Sequence, residues 1–199
     1  MPGYITAAVE GIIDEAVAAK LISHVGGKIG PVYGKQGKPY LRQQLSRYNN
    51  AARHAPWFML IDLDLDADCA PPICRAWLGN PNLLACFRVA VRETEAWLLA
   101  DPQSLAQFLS VSSARIPAQP ESLNDPKMEM VNLARNSRRK AIREDMVPRV
   151  GSGRSVGPAY SSRVIEYIVK SWRPDVAATH ADSLARTIRA LRRLVESHP

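Results

Sequence analysis

The 199-residue chain contains no run of eighteen apolar residues, which excludes a helix long enough to span a bilayer. Its first residues read as a strand and lack the basic start, long apolar stretch and small-residue cleavage site of a secretory leader. Cysteine is scarce: Cys69, Cys74 and Cys86 are odd in number and none has CxxC spacing. That argues against a disulfide framework or a zinc knuckle, and makes the reducing cytoplasm the expected compartment. There is no GxxxxGK[ST], so any nucleotide hydrolysis must come from another chain. The stretch Gly151–Gly157, GSGRSVG, lacks the Lys-Ser/Thr, follows no predicted strand and reads as a turn. Internal repeats, low-complexity tracts and base-reading patterns are missing too, so little sequence specificity is expected.

The chain does hold enough apolar material, 46% against 23% charged residues, to bury a core. Its net charge is +7, unevenly spread. Residues 1–100 carry ten Lys/Arg and nine Asp/Glu, whereas residues 101–199 carry sixteen and ten. An acidic site in the first half beside a positive field in the second suits a polyanionic substrate, although many soluble proteins are mildly basic.

Tyr4–Val9 reads as a buried strand stopped at Glu10-Gly11, and Ile12–Val25 as a helix ended by Gly26-Gly27. Residues 27–39 predict a short strand and a loop, and residues 40–54 a polar surface helix. Trp57–Ile61, WFMLI, is an unbroken apolar run, as expected for a strand covered on both faces. A helix over 71–78, with Pro at its start, and a strand over 83–91 follow. The helical stretch 93–109 has a break signal at Asp101-Pro102. Beyond it come a Ser/Pro-rich connection over 112–126, a basic helix over 125–144, a Gly/Pro-containing loop over 148–158, and helices over 159–172 and 182–197. Strands alternating with helices predict an α/β fold with a mostly parallel sheet and helices on both faces. The expected organisation is a core of residues 1–111 with a basic helical extension, 112–199, packed on it.

Asp62, Asp64, Asp66 and Asp68 occupy every second position directly after the most apolar strand. In an extended chain such side chains point the same way, about 6–7 Å apart. Like charges that close raise one another's pKa unless a cation neutralises them. Hard carboxylate oxygens without His or Cys select Mg²⁺, Mn²⁺ or Ca²⁺ over zinc. A solvated acidic loop is the plain alternative, but ligands of parallel sheets bind beyond the carboxyl ends of strands, where Glu10, Asp62 and Glu93 are expected to converge. An EF-hand is excluded, because its required Gly and Glu positions hold Ala67 and Ile73.

Glu10 and Asp14 are four residues apart and can reach one side of a helix, although acids in a first turn are commonplace. The same applies to Glu93 and Glu95. On a continuous helix Arg135, Arg139 and Arg143 form one stripe flanked by Arg138 and Lys140, which reads either as a solvated face or as a phosphate-binding one.

As a set these residues resemble the TOPRIM domains of topoisomerases, primases and OLD-family (overcoming lysogenization defect) nucleases. Glu10 in AVEG and Asp62-Leu63-Asp64 in MLIDLD match the Glu and Asp-x-Asp of that pattern. Asp14 in EGIID, Glu93-Thr94-Glu95, and Ser137-Arg138-Arg139-Lys140 resemble the further acids and the Ser-x-x-Lys of OLD nucleases, with Lys127 a competing lysine. Nearly all of residues 5–195 is similar to a family of small stand-alone TOPRIM-like proteins catalogued as a domain of unknown function, through VEGIIDE, LIDLDLD, VRETEAWLLAD, the Asp125-Pro126-Lys127 segment, VGPAY, SWRPDVAA and SLARTIRAL.

The resemblance implies a Mg²⁺- or Mn²⁺-dependent nuclease cutting phosphodiester bonds, with DNA the expected substrate. It also implies a separate ABC-type ATPase subunit in an anti-phage defence system. Two metals about 4 Å apart would stabilise the attacking water and the leaving oxygen. Asp62 and Asp64, aided by Glu93 or Glu95 and near Asp66, would hold one; Glu10 and Asp14 the other. Lys140, or Lys127, would offset charge on the phosphate, and the arginines would position the strand. Two alternatives stand beside this reading: a non-catalytic, Mg²⁺-binding regulatory subunit of an ATPase complex, and a small-molecule phosphatase. Among phosphatases the haloacid-dehalogenase type places Asp-x-Asp on its first strand, whereas here the motif follows a later one.

Overall fold

Three short apolar runs and the mixed segment KIGPVYG become the strands of one parallel sheet in a computed structural model that describes residues 3–197. The first elements are β1 (Tyr4–Val9), α1 (Ile12–His24), β2 (Lys28–Gly34), α2 (Lys38–Ala51), β3 (Trp57–Asp62), α3 (Ala70–Trp77) and β4 (Ala85–Ala90). Six helices follow before the last: α4 (Thr94–Leu99), α5 (Pro102–Leu109), α6 (Pro126–Arg135), α7 (Lys140–Met146), α8 (Tyr160–Lys170) and α9 (Pro174–Ala177). The last is α10 (Asp182–Glu196), and two short 3-10 turns lie between α5 and α6.

The contacts divide the chain into two units. One runs through Val91 and takes in the C-terminal segment from Ser183; the other is Arg92–Asp182. The sequence reading put the boundary after residue 111 and α10 in the extension; the contacts put it after Val91 and return α10 to the first unit. Local reasons are visible there. The Ser183 hydroxyl accepts the Val91 N–H at 3.2 Å, Arg88 Nε donates to the Thr187 hydroxyl at 3.4 Å, and Leu184, Ile188 and Leu191 are buried.

In the first unit the strand order is β2-β1-β3-β4. Ala8, Met59 and Phe87 lie side by side across the sheet, and so do Ala7, Phe58 and Cys86. Because strand side chains alternate, these two rows face opposite ways. Ala8, Met59 and Phe87 join Leu41 and Leu45 of α2 and Ile73 of α3 in one core. On the other face Ile22 of α1 meets Ile5 around Gly27, and α10 takes Arg88. The sheet is thus covered on both faces, which is why WFMLI is apolar throughout.

The second unit is all helical and built on aromatic residues. Trp97, Tyr160, Tyr167 and Trp172 are buried, each contributing about 2–3 kcal/mol by removal from water. Their polar atoms are satisfied inside: Trp172 Nε1 donates to the Trp97 carbonyl at 3.2 Å, and the Tyr167 hydroxyl to the Leu98 carbonyl at 3.5 Å. Among the described residues of the chain no helix is long and apolar enough to cross a membrane.

Candidate functional site

Glu10 leaves the carboxyl end of β1 beside the end of β3. Its Oε1 accepts the Asp62 N–H at 2.9 Å, which joins two of the three acids expected at the strand ends, Glu10 and Asp62. Asp14, in the first turn of α1, is buried and accepts the Gly11 N–H at 2.9 Å, as a capping acid does. Burial pushes the Glu10 carboxyl up to about 7. The Asp62 N–H and Lys38 oppose that rise, while the negative charges of Asp14 and Asp64 add to it.

The turn after β2 brings a cation to these acids. Gly34 has φ +88, and a Cβ on it would stand 2.2 Å from the Val9 carbonyl oxygen, so only glycine fits. The Lys35 N–H donates to the Val9 carbonyl at 2.8 Å, and the Gly37 N–H to the Glu10 carbonyl at 3.0 Å. Pinned in this way, α2 begins at the rim with Lys38, whose ammonium contacts Asp64 and lies 2.9 Å from Asp66. Burial pulls that ammonium's pKa down, yet the two aspartates outweigh it and hold Lys38 above its ordinary value.

The aspartate run does not stay extended. Leu63 turns inward, fully buried, and its N–H donates to the Ala90 carbonyl at 2.8 Å. Asp64 adopts φ +50, and the Asp66 N–H closes a turn on the Leu63 carbonyl at 3.2 Å. Asp62 therefore belongs to the strand, Asp64 and Asp66 to an exposed turn that Lys38 straps, and Asp68 to the solvent beyond. The oxygen-only donor set suits a hard divalent cation. The spacing is wider than a coordination sphere: among the described residues no three His, Cys, Asp or Glu side chains are gathered closely enough to hold a metal ion.

Glu93 and Glu95 belong to the second unit and have partners there. Glu93 accepts the Lys127 N–H and Nζ, both at 2.9 Å, and so caps the start of α6. Glu95 is almost wholly buried, accepts the Tyr160 hydroxyl at 3.2 Å and lies 3.8 Å from Lys127 Nζ. Burial first, then Glu95, drives the Tyr160 hydroxyl pKa far above its usual value, so Tyr160 stays a proton donor.

The basic helix expected over 125–144 is broken between Arg135 and Lys140, which corrects the single arginine stripe. Ser137 breaks it: its buried hydroxyl donates to the Leu109 carbonyl at 2.5 Å and accepts the Arg139 N–H at 3.0 Å, bonds a helix interior does not allow. The Arg138 N–H donates to the Ser110 carbonyl at 3.2 Å. Arg143 Nη1 donates to the Ser137 carbonyl at 2.5 Å, Arg139 Nη1 to the Phe108 carbonyl at 3.4 Å, and Arg135 Nη1 to Asn132 at 3.2 Å. Lys140 opens α7, exposed, 3.5 Å from Glu144.

The sequence reading missed two polar partners of the acidic groups: Lys38, on Asp64 and Asp66, and Tyr160, on Glu95. The signal for Lys38 was weak: a Gly-x-x-Gly-Lys turn leading into a helix without acids. Tyr160 lies 65 residues from its carboxylate and left no local signal. No protein-family model matches the chain, and neither do the curated proteins or solved structures compared with it.

Proposed function

We propose that the rim formed by Glu10, Asp14, Asp62 and Asp64 is a phosphodiester-hydrolysing site that works with Mg²⁺ or Mn²⁺. The observation that carries this reading is Glu10: a half-buried carboxyl, raised to about 7, facing other acids at the carboxyl end of a parallel sheet. Burial outweighs the positive charge of Lys38 at this group, and Glu10, Asp62 and Asp64 offer a cation only hard oxygens. When bound, the cation supplies Lewis-acid charge at the phosphate and acidifies a water. Without the cation Glu10 is partly protonated near neutral pH; beside the cation's charge it would ionise and serve as a ligand. Lys38, held at Asp64 and Asp66, adds positive charge for the phosphate of an incoming strand. The resemblance to TOPRIM and OLD-type nucleases supports DNA as the substrate, a separate ATPase as the partner and the cytoplasm as the place of action.

The test is incubation of purified protein with supercoiled plasmid and Mg²⁺ or Mn²⁺, beside Asp62→Ala and Lys38→Gln. Metal-dependent nicking should fall at least ~1000-fold in Asp62→Ala and about 10- to 100-fold in Lys38→Gln. Nicking at the wild-type rate by Asp62→Ala would refute the site.

The Lys38 strap favours one second reading, a non-catalytic regulatory subunit whose acidic turn is already neutralised. It predicts binding to the ATPase with no cutting of DNA or RNA even when that partner is present.

A further inference from the structure

The second unit carries a cavity lined by three arginines, away from Glu93, Glu95 and Asp101. Arg135 at the end of α6, Arg143 in α7 and Arg149 in the loop that follows line a depression of about 690 Å³. A smaller one, about 390 Å³, adjoins it; the two share Arg149 and Pro158, and Arg154 lines the second. The first is of the size that takes a nucleotide-sized ligand.

Charge bookkeeping favours an anion there. Two acids, Glu144 and Asp145, also line the larger cavity, but cations outside it offset them, Arg163 being shared with Glu166, which Lys170 also pairs. Glu144 pairs with Lys140 at 3.5 Å, and Asp145 with Arg163 at 2.7 Å. The three guanidiniums are left as surplus. Among the described residues the Arg149 and Arg154 side chains have no hydrogen-bond or ion-pair partner, and both are exposed.

The walls are held in place. Gly157 packs so closely that a Cβ on it would stand 2.4 Å from the Asp145 carbonyl oxygen. The Gly157 N–H donates to the Met146 carbonyl at 2.9 Å, and the Ala159 N–H to the Asp145 carbonyl at 2.9 Å. These bonds fasten the far end of the arginine-bearing loop to α7, while the Ser137 carbonyl orients Arg143. Planar guanidiniums converging from separate elements match the oxygens of phosphate groups, to which they bind bidentately.

We propose that this arginine pocket binds a phosphate-bearing ligand, either a nucleoside polyphosphate or the backbone of a nucleic-acid strand. The inference rests on no part of the metal-site reading and is tested without metal. Binding of ATP and of a twelve-nucleotide oligothymidylate is measured by titration calorimetry in EDTA at low salt. The proteins are wild type, Arg149→Glu, Arg154→Glu, and Arg115→Glu, an equal charge change outside the pocket. Saturable binding of at least one probe is expected, weakened at least ~10-fold by Arg149→Glu and much less by Arg115→Glu. Preference for ATP identifies a nucleotide pocket; preference for the oligonucleotide identifies a strand-binding one. No saturable binding of either probe, or equal loss in Arg149→Glu and Arg115→Glu, overturns the proposal.

Discussion

The two acidic groups of this protein are opposites. Glu93, Glu95 and Asp101 in the second unit are closed: each accepts N–H or O–H donors from its own unit. Asp101 is fully buried and takes a two-point clasp from Arg173, at 2.6 and 2.9 Å, plus the Arg173 N–H at 3.1 Å. Glu10 and the aspartate turn are open: partly exposed, close to other acids and strapped by Lys38. The difference teaches how to separate structural acids from functional ones. A carboxylate whose lone pairs are filled by fixed donors holds the fold, whereas one like Glu10, whose pKa is driven upward by burial first and by neighbouring acids second, is a candidate for function.

The comparison can be broken by substitution, and the expected effects descend in size. Asp101→Ala removes the acceptor of the Ser104 and Arg173 backbone N–H groups and opens a buried polar hole, while the Arg173 side chain can turn to solvent, and should cost the second unit about 2–4 kcal/mol in chemical denaturation. Glu95→Ala leaves the buried Tyr160 hydroxyl without its acceptor and should cost about 1–3 kcal/mol.

Glu10→Gln should act in the other direction. An acid whose folded pKa is near 7 rather than 4.5 binds its proton more tightly in the folded state. Its ionisation penalty is therefore absent below about pH 4.5, grows as pH rises, and is complete above about 7. Without metal, Glu10→Gln should be more stable than wild type by about 1–2 kcal/mol at pH 8, the solvent-open site screening part of the shift, and equal to it at pH 4. A destabilised Glu10→Gln at pH 8 would place Glu10 with the closed group. Lys140→Ala, on an exposed i,i+4 pair, should change stability by less than about 0.5 kcal/mol.

Much of this contrast was hidden in the sequence for physical reasons. Periodicity is local, so β1, α1, β3 and the break at Asp101-Pro102 were legible from runs of apolar residues, glycine stops and proline. The meeting of Glu10 with Asp62 followed from strand ends in a parallel sheet. Non-local bonds decided the rest. Ser137 broke a helix that its neighbours favour because its hydroxyl reaches the Leu109 carbonyl. The helix α10 returned to the sheet through Arg88 and Thr187, 99 residues apart. Lys38 reached the aspartate turn across 26 residues, through a turn whose shape depends on Gly34.

The most direct test of the claim that the open acids, not the closed ones, take up a divalent cation is calorimetric titration of Mn²⁺ into three proteins at pH 7.5. These are wild type, Asp62→Asn and Glu95→Gln. Saturable binding in wild type and Glu95→Gln, lost in Asp62→Asn, is the predicted result. No saturable binding in wild type, or binding that survives in Asp62→Asn and disappears in Glu95→Gln, would contradict it.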